Sequence, residues 1–84
     1  MNNKILIELE IPIIEKKYDL FIPINKTIGT VKSLIEQGLS ELTNEAYTPS
    51  DQTNLYSKES GEFYDINMIV RETDLKNGSR VILV

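Results

Sequence analysis

The chain opens on an alternation. From Lys4 to Ile11, KILIELEI, the residues Ile5, Ile7, Leu9 and Ile11 alternate with Lys4, Leu6, Glu8 and Glu10. A period of two predicts a strand with one buried face. Pro12 has no N–H to give to a ladder, so the strand is expected to end there. The residues IIEKK then make a turn. Lys17 to Ile22, KYDLFI, reads as a second strand, with Tyr18, Leu20 and Ile22 on one side and Asp19 and Phe21 on the other. So short a connection predicts an antiparallel hairpin, closed by Pro23.

The period changes at Thr27. In TIGTVKSLIEQGLSEL, residues Ile28, Val31, Ile35, Leu39 and Leu42 recur at steps of three and four, which predicts a helix over 27–42 with one apolar face. Leu34 widens that stripe. Thr27 stands where its hydroxyl can accept a hydrogen bond from an unpaired first-turn amide. Gly29 and Gly38 each weaken the helix by roughly 1 kcal/mol relative to alanine. The helix therefore needs a surface to lie on, and the flanking strands supply one.

The second half is less regular. TNEAYTPSDQT is polar and turn-rich, with Tyr47 as its one large apolar anchor. Thr53–Ser57 is a short strand and Lys58–Gly61 a turn. Glu62–Asp65 is a further short strand or extended piece, with Phe63 and Tyr64 on opposite sides. INMIVRETDL accommodates a helical turn around Ile66–Val70, and Leu75 is expected to plug the core. Asn77-Gly78 is a turn dipeptide that tolerates positive φ. RVILV, Arg80–Val84, is apolar enough to be a central strand, expected to pair in parallel with the first. The order predicts an α+β protein: a β-grasp in which a mixed sheet of four to five strands packs on one helix, as a single domain spanning 1–84.

Composition removes most chemistry. With 84 residues, 40% of them apolar and 26% charged, the chain has the make-up of one globular domain. There is no cysteine and no histidine, so the commonest metal ligands, general base and pH switch are missing. No catalytic, metal-binding or cofactor-binding residue is expected, and the chain is not read as an enzyme. Lys32 is read as a solvated surface charge rather than a Schiff-base lysine. Glu8 with Glu10, Glu59 with Glu62, and Glu72 with Asp74 are read as solvated carboxylates, because no loop converges enough oxygens for a hard cation. A net charge of −4 argues against a nucleic-acid partner. The N-terminal stretch lacks the apolar core of a secretory signal, and no apolar run is long enough to enter a bilayer. A cytoplasmic location is expected.

A sheet with one helix leaves one face open. In the expected register Ile5, Ile7, Leu9, Leu20, Ile22, Leu55, Val81 and Leu83 face the helix. Leu6, Phe21, Tyr56, Ile82 and Val84 then lie on the other face, rimmed by Lys4, Glu8, Lys58 and Arg80. Leu6, Tyr56 and Ile82 are expected to be contiguous. Apolar residues grouped inside a charged rim mark protein-docking surfaces. That use is preferred to a weak homodimer contact or a face with no role.

Two short motifs carry a resemblance. TIGTVKSLI is similar to the T-I-x-x-V-K-x-x-I start of the ubiquitin helix, through Thr27, Ile28, Val31, Lys32 and Ile35. PSDQTNLY is similar to P-P-D-Q-x-x-L-I, through Pro49, Asp51, Gln52 and Leu55, and puts Tyr56 at the position of ubiquitin's patch isoleucine. More narrowly, the chain resembles the bacterial YukD/EsaB proteins. It shares their early Y-D-L-x-hydrophobic-P in Tyr18, Asp19, Leu20, Ile22 and Pro23. It also shares their closing segment in LKNGSRVILV, with Ser79 where aspartate is common. That resemblance implies an accessory or regulatory protein of the type VII (WXG-type) secretion systems of Gram-positive bacteria, docking on a cytoplasmic part of the machinery. The alternative is a sulfur carrier or modifier whose C-terminal Gly-Gly is activated by an adenylating enzyme. The ending RVILV, without those glycines, argues against it.

Overall fold

The computed structural model describes residues 3–84; the first two residues, included in the expected single domain 1–84, lie outside the described residues. The opening alternation forms β1 (Lys4–Ile11), with Ile7, Leu9 and Ile11 buried and Leu6 on the opposite face. A single 3₁₀ turn at Pro12–Ile14 follows, and Glu15 in the left-handed region (φ 53°) reverses the chain. β2 (Lys16–Pro23) returns antiparallel to β1, from Ile11 opposite Lys16 to Lys4 opposite Pro23.

The helix α1 (Ile28–Leu42) begins as read, with the Thr27 Oγ1 accepting from the Thr30 N–H at 3.2 Å. Its buried side chains Ile28, Val31, Ile35 and Leu39 form a narrower stripe than expected. Leu34 (51% exposed) and Leu42 (65% exposed) stand outside the core. They lie past the edge strand β2, where there is no more sheet to cover.

Two further strands complete the sheet. β3 (Leu55–Ser57) pairs antiparallel with β4 (Arg80–Leu83), and β4 runs parallel to β1, giving the order β2-β1-β4-β3. The closing segment is thus central, as its apolar content requires. Among the described residues a fifth strand does not form. Glu62–Asp65 contributes one bridge, Tyr56 to Phe63, flanked by hydrogen bonds from the Ser57 N–H to the Glu62 carbonyl (2.8 Å) and from the Tyr64 N–H to the Leu55 carbonyl (2.9 Å). The helical turn expected around Ile66–Val70 lies later, as a 3₁₀ turn at Val70–Glu72. Gly78 takes φ +89°, the conformation its dipeptide allows. The core fills the space between α1 and one sheet face. Val70 and Tyr47 join it from the connections, and Leu75 packs against it half-buried.

The stretch before that 3₁₀ turn straps the start of α1. The Ile28 N–H donates to the Met68 carbonyl (2.8 Å) and the Gly29 N–H to the Ile66 carbonyl (3.0 Å), so two first-turn amides left open by the helix are satisfied. This explains Gly29: a Cβ there would meet the Ile66 carbonyl oxygen at 3.3 Å. At Gly38 a Cβ would meet nothing within 4 Å. Gly38→Ala is therefore expected to raise stability by up to about 1 kcal/mol. Gly29→Ala gains nothing, because the strap must give way. Urea midpoints at unchanged m-value would show the difference.

Candidate functional site

The register sorts the open face into cross-strand rows. Tyr56 is opposite Ile82, which is opposite Glu10, which is opposite Lys17. The next row runs from Arg80 through Glu8 to Asp19, with Lys58 beyond Arg80, whose carbonyl accepts from the Lys58 N–H at 3.0 Å. The row after that pairs Leu6 with Phe21. Lys4 lies beyond it, exposed and opposite Pro23.

The expected patch is therefore two patches. Tyr56 and Ile82 are direct neighbours. Phe63 joins them by packing edge-on against Tyr56, with ring centroids 5.0 Å apart and planes at 68°. Val84 extends this group past the end of β4, where it exchanges backbone hydrogen bonds with Asn54 (2.6 and 3.0 Å). Leu6 is not contiguous with it. Ile82 faces Glu10, four positions along β1 from Leu6, or roughly 13 Å at the rise of a strand. Gly78 sets this offset: its N–H donates to the Leu6 carbonyl (2.8 Å), while the Leu6 N–H donates to the Asn77 Oδ1 (2.8 Å). Leu6 and Phe21 form a separate pair nearer the β2 edge.

Charges fill the gap between the two groups. The Lys58 Nζ reaches the Glu10 carboxylate at 3.0 Å, and the Arg80 Nε reaches the Glu59 carboxylate at 2.8 Å. The hydrogen bond from Lys58 holds Glu10 below the usual carboxylate range, and that from Arg80 does the same for Glu59. Arg80 is thus already paired within the monomer. Because both pairs face solvent, each contributes little to folding. They do fix the charge pattern of this face: a compact aromatic and aliphatic group bordered by two ion pairs.

Lys32 is not the solvated charge it was expected to be. Its ammonium bonds the Glu36 Oε1 (2.8 Å) and the Ser50 carbonyl (2.8 Å), and both side chains are largely buried. The other carboxylate oxygen of Glu36 accepts from the Tyr47 hydroxyl (2.7 Å), the Ser50 N–H (3.0 Å) and the Thr53 hydroxyl (3.1 Å). Burial pushes the Glu36 carboxyl up. The Lys32, Tyr47, Ser50 and Thr53 donors together outweigh it and leave the group below its ordinary value. Burial and the Glu36 carboxylate raise the Tyr47 hydroxyl to about 12, so it stays a donor. The network pins the irregular 43–54 connection to α1. It is structural in kind: every bond is satisfied from within the chain.

Among the described residues no group of three or more Asp, Glu, His or Cys side chains is placed to hold a metal ion. No helix of the described residues is long and apolar enough to cross a membrane. No family model matches the chain, and no curated protein resembles it in sequence. Solved structures match it in fold. A structure described as "Molecular Mimicry of SUMO promotes DNA repair" matches with TM-score 0.75 at 24% identity, over 100% of this chain and 94% of that one. The N-terminal ubiquitin-like domain of the 4931431F19Rik protein matches with TM-score 0.76 at 18% identity, over 100% and 76%. A chain of the MycP5-free ESX-5 inner membrane complex matches with TM-score 0.72 at 13% identity, over 99% of this chain and 21% of that one. The fold is ubiquitin-like.

Proposed function

We propose that this chain is a non-enzymatic ubiquitin-like interaction module, acting as an accessory or regulatory component of a bacterial type VII secretion system. It works in the cytoplasm and docks noncovalently on a protein of the machinery. The observation that carries this reading is the group of Tyr56, Ile82 and Phe63 on the sheet face away from α1, with Phe63 exposed and Tyr56 and Ile82 half-buried. An edge-on aromatic pair beside an aliphatic residue, bordered by charge, has the make-up of an interface core with a polar rim. Val84 and the Arg80–Glu59 pair extend the docking surface from this group. Leu6 and Phe21, with Lys4 beside them, form a second contact region on the same side.

The secretion assignment draws on the Tyr18–Pro23 and Leu75–Val84 resemblance. It also draws on a domain of this fold within a chain of an ESX-5 inner membrane complex. The test is a Tyr56→Glu/Ile82→Glu variant, with Phe63→Ser beside it because Phe63 is already exposed. Partner capture from a lysate containing a type VII machine is expected to fall at least about tenfold for both, with thermal melts unchanged for Phe63→Ser. Undiminished capture by folded variants would overturn the docking surface. A captured component outside the secretion machinery would overturn the assignment and leave the surface standing.

A further inference from the structure

Leu6 fastens two groups of a single dipeptide. Its N–H donates to the Asn77 Oδ1 (2.8 Å), and its carbonyl accepts from the Gly78 N–H (2.8 Å). That side-chain amide and that backbone nitrogen are the pair that react with each other when an asparagine deamidates. Asn77 is the one asparagine of the chain followed by glycine, and both residues are exposed. With no Cβ on Gly78, its nitrogen meets no side chain of its own on the way to the Asn77 amide.

The fold holds this pair apart. The Ser79 N–H donates to the Lys76 carbonyl (3.0 Å) and the Lys76 N–H to the Ser79 Oγ (3.0 Å), closing a turn over 76–79. Gly78 has φ +89° and Asn77 keeps a negative φ, which makes the turn type II. In such a turn the ψ of the second residue is about +120°, which carries the Gly78 nitrogen away from the Asn77 side chain. Attack also requires that nitrogen to give up its proton, and the proton is held by the Leu6 carbonyl. Ring closure therefore waits until the clasp on Leu6 opens.

We propose that Asn77-Gly78 is a modification site: a point of spontaneous deamidation, guarded by the Leu6 clasp, whose isoaspartyl product unfastens the turn before β4 from β1. In the first step the Gly78 nitrogen loses its proton to solvent and attacks the Asn77 Cγ. The new N–Cγ bond closes a succinimide ring, the Cγ–Nδ2 bond breaks, and ammonia leaves with a proton from solvent. In the second step water adds to one of the two ring carbonyls. Opening at Cγ gives aspartate, and opening at the main-chain carbonyl gives isoaspartate. The two products act differently on the sheet. Aspartate keeps a side-chain oxygen for the Leu6 N–H and leaves the Gly78 N–H in place, so the clasp survives. In isoaspartate the former side-chain carbonyl and the Gly78 N–H belong to one peptide group. They point in opposite directions across a trans peptide, so they cannot both turn toward Leu6. The offset of β4 against β1 then loses its fixing point, and a chain that has opened carries a lasting mark. The reaction needs only water and no docking partner.

The test follows the intact mass of the full chain at mildly alkaline pH, in native buffer and in guanidinium chloride. Beside it runs the synthetic peptide LKNGSR, which has no sheet to guard it. The folded chain is expected to gain the mass of an amide-to-acid exchange at least about tenfold more slowly than the peptide, and denaturant is expected to bring the two rates together. Asn77→Gln, whose longer side chain would have to close a larger ring, is expected to keep its mass in denaturant while the parent converts. A protease that cuts before aspartate and not before isoaspartate sorts the products. The isoaspartyl chain, separated by ion exchange, is expected to melt lower than the parent and to lose the slow hydrogen exchange of the Leu6 amide. Asn77→Asp, standing for the other product, is expected to keep both. Equal rates for folded chain and peptide would remove the guard, and mass gain in Asn77→Gln would remove the site. An isoaspartyl chain with the parent's melt and Leu6 protection would remove the unfastening.

Discussion

Glu36→Ala is expected to lower stability by about 3–5 kcal/mol, the usual cost of removing one partner from a buried ion pair. The substitution strands the Lys32 ammonium in a site with little access to water and leaves the Tyr47 and Thr53 hydroxyls and the Ser50 amide without their acceptor. A chain of 84 residues has a total stability on the order of 4–13 kcal/mol, so the variant is marginal or unfolded at ambient temperature. Urea denaturation measures this directly. Lys32→Met is expected to cost less, because three neutral donors still hold the carboxylate. The double variant Lys32→Met/Glu36→Ala is expected to lose less than the two single losses combined, the mark of a coupled pair.

The same network sets a pH dependence. The folded-state pKa of Glu36 lies below its unfolded value, so its stabilisation is complete above the unfolded pKa and disappears as pH falls through the folded one. Unfolding free energy measured from pH 6 down to about 2 should drop less steeply in Glu36→Gln than in the parent. Glu10 and Glu59 shift in the same direction, but they face solvent. Roughly 1 M salt should flatten their share and spare that of Glu36. Equal slopes for parent and Glu36→Gln in high salt would contradict this account.

Leu9→Ala is the second large effect. Leu9 is fully buried on β1, opposite Tyr18 on one side and Val81 on the other, at the middle of the sheet. Truncating a buried leucine costs about 2–5 kcal/mol, through lost transfer energy and the cavity left behind. Leu6→Ala, three positions earlier on the opposite face, should stay within about 0.5 kcal/mol. Comparing the two by thermal or urea denaturation checks the facing of the whole strand.

Much of this fold is legible in the chain because its periodic segments are long. Eight residues of alternation fix which face of β1 is buried, and the threonine at position 27 marks where α1 begins. Helical periodicity shows which residues share a side of α1. It does not show how wide a surface awaits them, and Leu34 and Leu42 stand outside the core for that reason. Lys32 and Glu36 at a spacing of four look like any solvated helix pair. What buries them arrives from Tyr47 to Thr53, in a stretch with no period at all. The open-face residues could be assigned to a side by alternation, but their grouping depends on the register between parallel strands far apart in sequence. Only the Gly78 turn sets that offset, and with it the distance between Leu6 and Ile82. Alternation puts Phe63 on the side opposite Tyr64, but no pattern in the sequence shows that it closes on Tyr56.

The central place of β4 has a consequence for how the protein is made. β3 bonds to β4, and β1 relies on β4 for its second neighbour, with the Leu6 amide waiting on a side chain 71 positions later. A nascent chain that has not yet released Arg80–Leu83 from the ribosome holds only a hairpin and a helix, with the middle of the sheet missing. Such long-range closure is slow to find, and the sheet cannot assemble until Arg80–Leu83 are free to enter it.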